Sequence, residues 1–181
     1  GMLHHDVFPV FVASAKKNMG SGRIMGFIDN VAPSPTESKP ERLADGSELN
    51  IDAQLPVTIF VFKTHFEPNL GKISYFKVIS GELTANTELR NTQTGQIEKL
   101  HQLFIVDGKN RQSIEKLTAG DIGATLKLKD TFTNQTLCEV KENIILSPIQ
   151  FPEPRIRMAV VAASKQDDDK IGEVLQKIQA E

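Results

Sequence analysis

The side chains in this sequence that could do chemistry are few. Cys138 is the single cysteine, and no histidine lies near it in sequence to act as its base. A lone thiol in this setting is typical of a buried structural side chain. His65 and His101 lie in strand-like patterns, which favour a structural or solvent-facing role. We therefore predict no catalytic residues in the chain.

The run of three acidic residues at Asp167–Asp169 is a candidate for binding a metal ion. Successive side chains on an α-helix point about 100° apart, so three consecutive carboxylates cannot converge on one cation. They suit the positive N-terminal end of a helix instead, with Ser164 as its N-cap. The sequence also has no zinc-ligand spacing, no GxxxxGK[ST] loop and no GxGxxG loop. We predict neither a metal site nor a phosphate cradle.

The composition sets wider limits on function. The chain has 181 residues, 39% of them apolar and 24% charged, with a net charge of −2. This balance excludes the strongly basic field of a free nucleic-acid-binding protein, so any such contact must come from a local patch. One cysteine cannot form an internal disulfide, and no apolar run approaches the roughly 18 residues of a membrane helix. These features favour a cytoplasmic protein without a membrane partner.

The elements that would position these residues are mainly strands. From Leu55 to about Leu146, short alternating and β-branched runs are separated by Gly, Asn and Asp. This pattern predicts a small β-barrel or sandwich. Within it, Ile122–Leu128 is predicted as one strand and Thr136–Val140 as another, joined by a hairpin.

The flanks follow different patterns. Phe8–Ser14 is predicted as a buried strand, followed by a helix capped by Ser21 and ended by Pro33. Residues 36–54 are polar and predict an exposed linker or flexible loop.

After a composition break at 147–154, residues 155–163 predict a strand, and a helix with a buried stripe follows. The residues of that stripe are Ile171, Val174, Leu175 and Ile178. This helical pattern still runs at residue 181, so we expect the sequence to be part of a longer chain, with open apolar faces that could support self-association.

Four stretches, in order, together resemble one family, the translational GTPases, and bacterial elongation factor G most closely. They are PVFVASAKKNMGSGRIMGFIDNVAPSP, VFKTHFEPNLGKISYFKVISGEL, AGDIGATLKLKDTFTNQTLC and ILSPIQFPEPRIRMAV. The resemblance implies that residues 1–35 end a GTPase domain and that 55–148 form the domain II β-barrel. Residues 149–181 would open an incomplete ferredoxin-like domain III, with 36–54 as the linker.

The resemblance also implies a site in the intact protein. Ser14, Ala15 and Lys16 match the family's last guanine-contacting loop, whose backbone N–H groups can donate to the base. GTP and Mg would be cofactors of the intact protein. The phosphate loop, switch regions and Asn-Lys-x-Asp motif are absent from this sequence, so we expect no cofactor and no enzyme activity from these residues alone.

In this family domain II rests on the small ribosomal subunit and couples the domains during translocation. We expect four basic residues to supply phosphate contacts to ribosomal RNA, the alternative being solvated charges on a strand face. These are Lys72, Lys77, Arg90 and Lys99. Two other functions stay open: a ribosome-protection protein of the tetracycline-resistance type or another divergent paralogue, and a free-standing β-barrel binding module.

Two positions depart from the family pattern. The family usually has Gly-Leu where this chain has Lys127–Leu128, and Gly-Asp where it has Asn134–Gln135. Asn tolerates left-handed backbone angles, so the second turn is expected to survive. A position that needs Gly resists a side chain as long as Lys127.

Overall fold

The computed structural model describes residues 6–67, 70–162 and 164–180. The chain divides into two compact units, one up to Lys39 and the other from Pro40 onward. Among the described residues, no helix is both long and apolar enough to cross a bilayer.

The first unit contains helix α1, Ser21–Val31, and a single 3₁₀ turn, Pro35–Glu37. Helix α1 begins after Gly20 (φ +81°), so Gly20 and not Ser21 is the N-cap. The strand expected at Phe8–Ser14 does not form, because its only ladder contact in the described chain is the bridge from Ser14 to Met19. Phe11 instead packs edge-on against Phe27 of α1, with ring centroids 4.9 Å apart.

The second unit is mainly β, as predicted. Its described strands are β1 (Glu41–Arg42), β2 (Glu48–Leu49), β3 (Thr58–Glu67), β4 (Gly71–Ser80), β5 (Glu82–Thr84), β6 (Thr87–Asn91), β7 (Ile97–Leu100), β8 (Leu103–Asp107), β9 (Asn110–Ile114), β10 (Lys116–Thr118), β11 (Ile122–Leu126) and β12 (Gln135–Cys138). Helix α2 follows at Lys165–Ala180.

Eight of these strands form one antiparallel sheet in the order β7-β6-β12-β3-β4-β11-β8-β9, which curls into a half-barrel. Only residues 101–102 separate β7 from β8, so the curl brings two distant strands of the sheet together. Two hydrogen bonds hold this corner: Asn86 N–H donates to the Leu100 carbonyl at 2.7 Å, and the Thr125 hydroxyl to the Gln102 carbonyl at 2.8 Å. The β5–β10 ladder is a separate pair of strands.

The core lies inside the curl, where buried apolar side chains from most of the strands meet. Burial of a Leu or Phe side chain contributes about 1.5–3 kcal/mol, so this cluster is the main source of stability. Its members are Val57, Ile59, Val61, Phe76, Val78, Leu83, Leu89, Leu100, Leu103, Leu117, Leu128 and Leu137. Gly123 permits the close packing, since a Cβ there would lie 2.3 Å from Leu117 Cδ1.

The structure differs from the expected linker at 36–54. Strands β1 and β2 form a short hairpin. Leu43 forms an isolated antiparallel β-bridge with Leu146, which follows the last barrel strand in sequence. Ile51 is only 5% exposed, so this segment contributes to the packing of the second unit.

The C-terminal flank also differs from expectation. The strand predicted at 155–163 does not form over 155–162, where large apolar residues stay exposed, such as Ile156 at 81%. Residue 163 lies outside the described residues. Helix α2 does form as predicted, and the Ser164 hydroxyl donates to the Asp167 carboxylate at 2.6 Å. The predicted stripe lines one face of α2 beside a cavity of about 440 Å³, but its members Val174, Leu175 and Ile178 remain half exposed. The side chains of Asp168 and Asp169 lie outside the described part.

Candidate nucleic-acid interface

The basic residues predicted to contact RNA lie on three strands of the curled sheet. Lys72 and Lys77 are in β4, Arg90 is in β6 and Lys99 is in β7. Their surroundings differ sharply, because the first three already hold partners within the protein.

Lys72 is half buried against the loop at 127–135, which we call the clamp loop. Its ammonium donates to the carbonyls of Lys129 (2.8 Å) and Thr131 (3.1 Å). It also lies 4.2 Å from the centroid of the Phe132 ring. Burial lowers the pKa of Lys72, and the Glu98 carboxylate opposes that shift. The amine thus works mainly as an internal donor.

Lys77 and Arg90 hold other segments onto the sheet. Lys77 Nζ lies 2.7 Å from the Glu41 carboxylate, and both side chains remain about one-third exposed. Such an exposed pair contributes at most about 1 kcal/mol, so a phosphate could compete for Lys77. Arg90 donates to the carbonyl of Glu142, and its Nε is buried with no partner among the described residues. Arg90 is therefore committed to holding the segment after β12.

Lys99 is the predicted residue best placed for a phosphate. It lies exposed on β7, an edge strand of the sheet, directly opposite Glu88 of β6. Within the described part of the chain its ammonium forms no hydrogen bond or ion pair. Ile97, two residues earlier on the same face, is 56% exposed. This edge presents a free cation beside an apolar surface.

The clamp loop is organised by a carboxylate that the sequence interpretation missed. Glu98 is only 5% exposed. One of its oxygens accepts from the Lys129 N–H at 3.1 Å, and the other from the Asp130 N–H at 2.7 Å and the Thr131 hydroxyl at 3.0 Å. The signal was in the sequence, since Glu98 is in phase with the buried Leu100 and therefore faces the interior.

Asn91 completes this buried polar network. Its amide nitrogen donates to the Asp130 carbonyl (3.2 Å), the Thr131 hydroxyl (3.1 Å) and the Gln135 side-chain carbonyl (2.9 Å). Gln135 in turn accepts from the Phe132 N–H at 2.7 Å. Because buried polar groups are costly without partners, these bonds fix one conformation of the loop.

The two departures from the family pattern fall at the ends of the clamp loop. Lys127 has φ +65° and Asn134 has φ +70°, both in the left-handed region that favours glycine. The expectation that Asn134 tolerates a left-handed turn is confirmed, and Lys127 adopts the same backbone despite its long side chain. Lys127 is sterically strained there, whereas Asn134 is better tolerated.

Cys138 is fully buried in β12, as predicted for a structural thiol. Its thiol donates to the Glu142 carbonyl at 3.2 Å, and burial raises its pKa. His65 lies part-buried in β3, and His101 is exposed between β7 and β8. The described residues bring together no group of three or more side chains that could hold a metal ion.

The predicted guanine loop lies in the first unit. Ser14 and Met19 exchange backbone hydrogen bonds of 2.9 and 3.0 Å, and Asn18 N–H donates to the Ala15 carbonyl at 3.1 Å. Among the described residues, the N–H groups of Ala15 and Lys16 form no backbone hydrogen bond. They are therefore free to donate to another group.

A curled antiparallel sheet whose loop at 127–135 is held by buried hydrogen bonds defines this part of the chain as a small β-barrel domain. Residues 56–140 match the family model "Elongation factor G domain 2". Residues 56–140, which form the barrel, are therefore similar to domain 2 of elongation factor G. Its fold is also similar to the crystal structure of ttk003000868 from Thermus thermophilus, with a TM-score of 0.75 and 23% sequence identity. That similarity covers 96% of this chain but only 24% of the Thermus chain.

Proposed function

We propose that this chain provides domain II of an elongation factor G-like translational GTPase, where the barrel docks on the ribosome and couples neighbouring domains during translocation. The match of residues 56–140 to elongation factor G domain 2 carries the proposal. A rigid barrel with a fixed surface loop suits a docking role, because the loop is already ordered in the free protein and binding loses no further loop entropy.

The proposed contact is with phosphates of small-subunit ribosomal RNA. Lys99 would make it directly, since its ammonium is exposed and has no partner within the described part of the chain. Lys77 would join it by exchanging its Glu41 partner for a phosphate. Lys72 and Arg90 would act less directly, by holding the clamp loop and the segment after β12 in place.

Charge reversal tests this assignment. Lys99→Glu should weaken binding of the chain to small subunits and reduce the salt dependence of the binding constant, with a slope change of about one. Lys109→Glu is the matched control, because Lys109 is also an exposed lysine and lies in the β8–β9 turn. Equal effects of the two substitutions would show that only net charge matters and would overturn the role of Lys99.

The guanine role of Ser14, Ala15 and Lys16 is proposed for the intact protein, with GTP and Mg as its cofactors. The free N–H groups of Ala15 and Lys16 support it, because a base carbonyl needs such donors. The 181-residue chain itself should show no saturable binding of a fluorescent GDP analogue at micromolar concentrations. Tight binding would contradict the view that the nucleotide site needs residues beyond this sequence.

A divergent paralogue, such as a ribosome-protection protein, is a second candidate within the same family. The observation that favours it is the replacement of two left-handed glycine positions by Lys127 and Asn134. A ribosome-binding assay with the intact protein and tetracycline separates the two, since only a protection protein is expected to release the drug from the ribosome.

A further inference from the structure

Asn134 joins the clamp loop to the segment by which the chain leaves the barrel. Its side-chain carbonyl accepts from the Ile149 N–H at 2.8 Å, and its side-chain amide donates to the Ile149 carbonyl at 3.2 Å. Its own N–H donates to the Val61 carbonyl of β3 at 2.8 Å. One residue thus ties the departing chain to a central strand of the sheet.

Among the described residues, this tie is the last hydrogen-bonded contact with the barrel along the chain. Just before it, Ser147 N–H donates to the Arg42 carbonyl at 3.0 Å and Leu146 N–H to the Thr136 hydroxyl at 3.0 Å. After it, residues 150–162 form no hydrogen bond within the described part of the chain. The direction in which the chain leaves the sheet is therefore set at Ile149.

The backbone of the turn does not require this side chain. Glycine would satisfy the positive φ at Asn134 with less strain, but it offers no amide. Lys127 has the same left-handed backbone at the other end of the loop, and its exposed side chain forms no contact of this kind among the described residues. Asparagine is the residue that combines tolerance of this backbone with a donor and an acceptor.

We propose that Asn134 is a positioning residue that fixes the exit direction of the chain and couples the clamp loop to the elements after the barrel. The coupling role rests on the proposed function, in which the barrel relays changes between domains. Movement of the clamp loop would reach Ile149 directly through the paired hydrogen bonds.

Amide hydrogen exchange of the 181-residue chain, followed by NMR, tests the tie. Asn134→Gly should lower the protection of the Ile149 amide roughly tenfold, because the acceptor is lost, while the amides of β3 and β4 keep theirs. Asn134→Asp keeps the acceptor but sets a carboxylate oxygen against the Ile149 carbonyl, and should fall between. Lys127→Gly is the matched control and should leave Ile149 unchanged.

Spin labels at Lys109 and Phe151, in a Cys138→Ala background, test the exit direction. The distance distribution should broaden in Asn134→Gly and stay as in the parent in Lys127→Gly, even where the melting temperatures are similar. Unchanged Ile149 protection or an unchanged distribution in Asn134→Gly would overturn the proposal. Loss of small-subunit binding by every form, including the parent, would instead overturn the proposed function and leave the positioning role standing.

Discussion

Replacement of Lys127 by glycine should stabilise the barrel. Lys127 has φ +65°, where an L-residue with a long side chain costs about 1–2 kcal/mol. Glycine removes that cost but gains about 0.4–1 kcal/mol of chain entropy in the unfolded state. The Lys127 N–H bond to the Lys72 carbonyl, at 3.1 Å, is a backbone bond and survives the change. The net gain should be about 0.5–1 kcal/mol.

Urea unfolding and thermal melting measure this gain. The urea midpoint should rise with an unchanged m-value, and the melting temperature should rise by about 2–5 °C. Lys127→Ala is the control, because it removes the same charge and side chain while the left-handed strain stays. Alanine should therefore give no gain.

Two results would refute this reasoning. If Lys127→Gly were no more stable than the parent, the backbone there would not be strained. If Lys127→Ala gave the same increase as Lys127→Gly, the benefit would come from removing the lysine charge and not from φ.

Three further predictions concern the core, the clamp loop and the buried thiol. Gly81→Ala should lower the free energy of unfolding by roughly 2–4 kcal/mol, because Gly81 has φ +79° and a Cβ there would lie 2.7 Å from Val57 Cα. An effect below about 1 kcal/mol would contradict the close packing at this position. Glu98→Ala should cost about 2–4 kcal/mol in urea unfolding, because three donors of the clamp loop lose their acceptor, and Glu98→Gln should cost less. Because burial raises the pKa of Cys138 in the folded protein, the thiol of the unfolded chain ionises at a lower pH. The contribution of the Cys138 thiol to stability is therefore fully present below about pH 8.5 and is lost as pH rises toward the folded-state pKa. The stability of the parent relative to Cys138→Val should therefore fall above that pH, and a constant difference would refute the burial argument.

The strands of the barrel could be predicted because their residues alternate between water and the core. Thr58–Glu67 and Gly71–Ser80 are long, β-branched and buried on one face, so local pattern and tertiary packing agree. The left-handed turn at Asn134 could also be predicted, because asparagine tolerates that backbone. Lys127 was expected to resist it, yet adopts the same conformation.

The predictions for the segments on either side of the barrel were wrong because local sequence pattern and tertiary packing disagree there. Phe8–Ser14 is apolar enough for a strand, but a strand also needs a neighbour for its N–H and C=O groups, and the sequence does not show one. The hairpin of β1 and β2 was missed because its strands are two residues each and depend on distant contacts such as Leu43 with Leu146.

The candidate site was predictable in part. A strand pattern shows that Lys72 lies near the barrel surface. The carbonyls that accept its hydrogen bonds belong to Lys129 and Thr131, which are separated from it by 57 and 59 positions in the sequence. Only the folded clamp loop turns that lysine from a free cation into an internal donor. Lys99, by contrast, is exposed on the edge strand β7 and forms no hydrogen bond or ion pair within the described structure.

The preference of the chain for one ribosomal subunit tests the central proposal most directly. Purified small and large subunits would be compared for binding of the 181-residue chain by sedimentation over a range of salt concentrations. An elongation factor G-like domain II should bind the small subunit saturably, with affinity that falls as salt rises and with weaker binding by Lys99→Glu. Equal binding to both subunits, or no binding to the small subunit even at low salt, would contradict the proposed docking role.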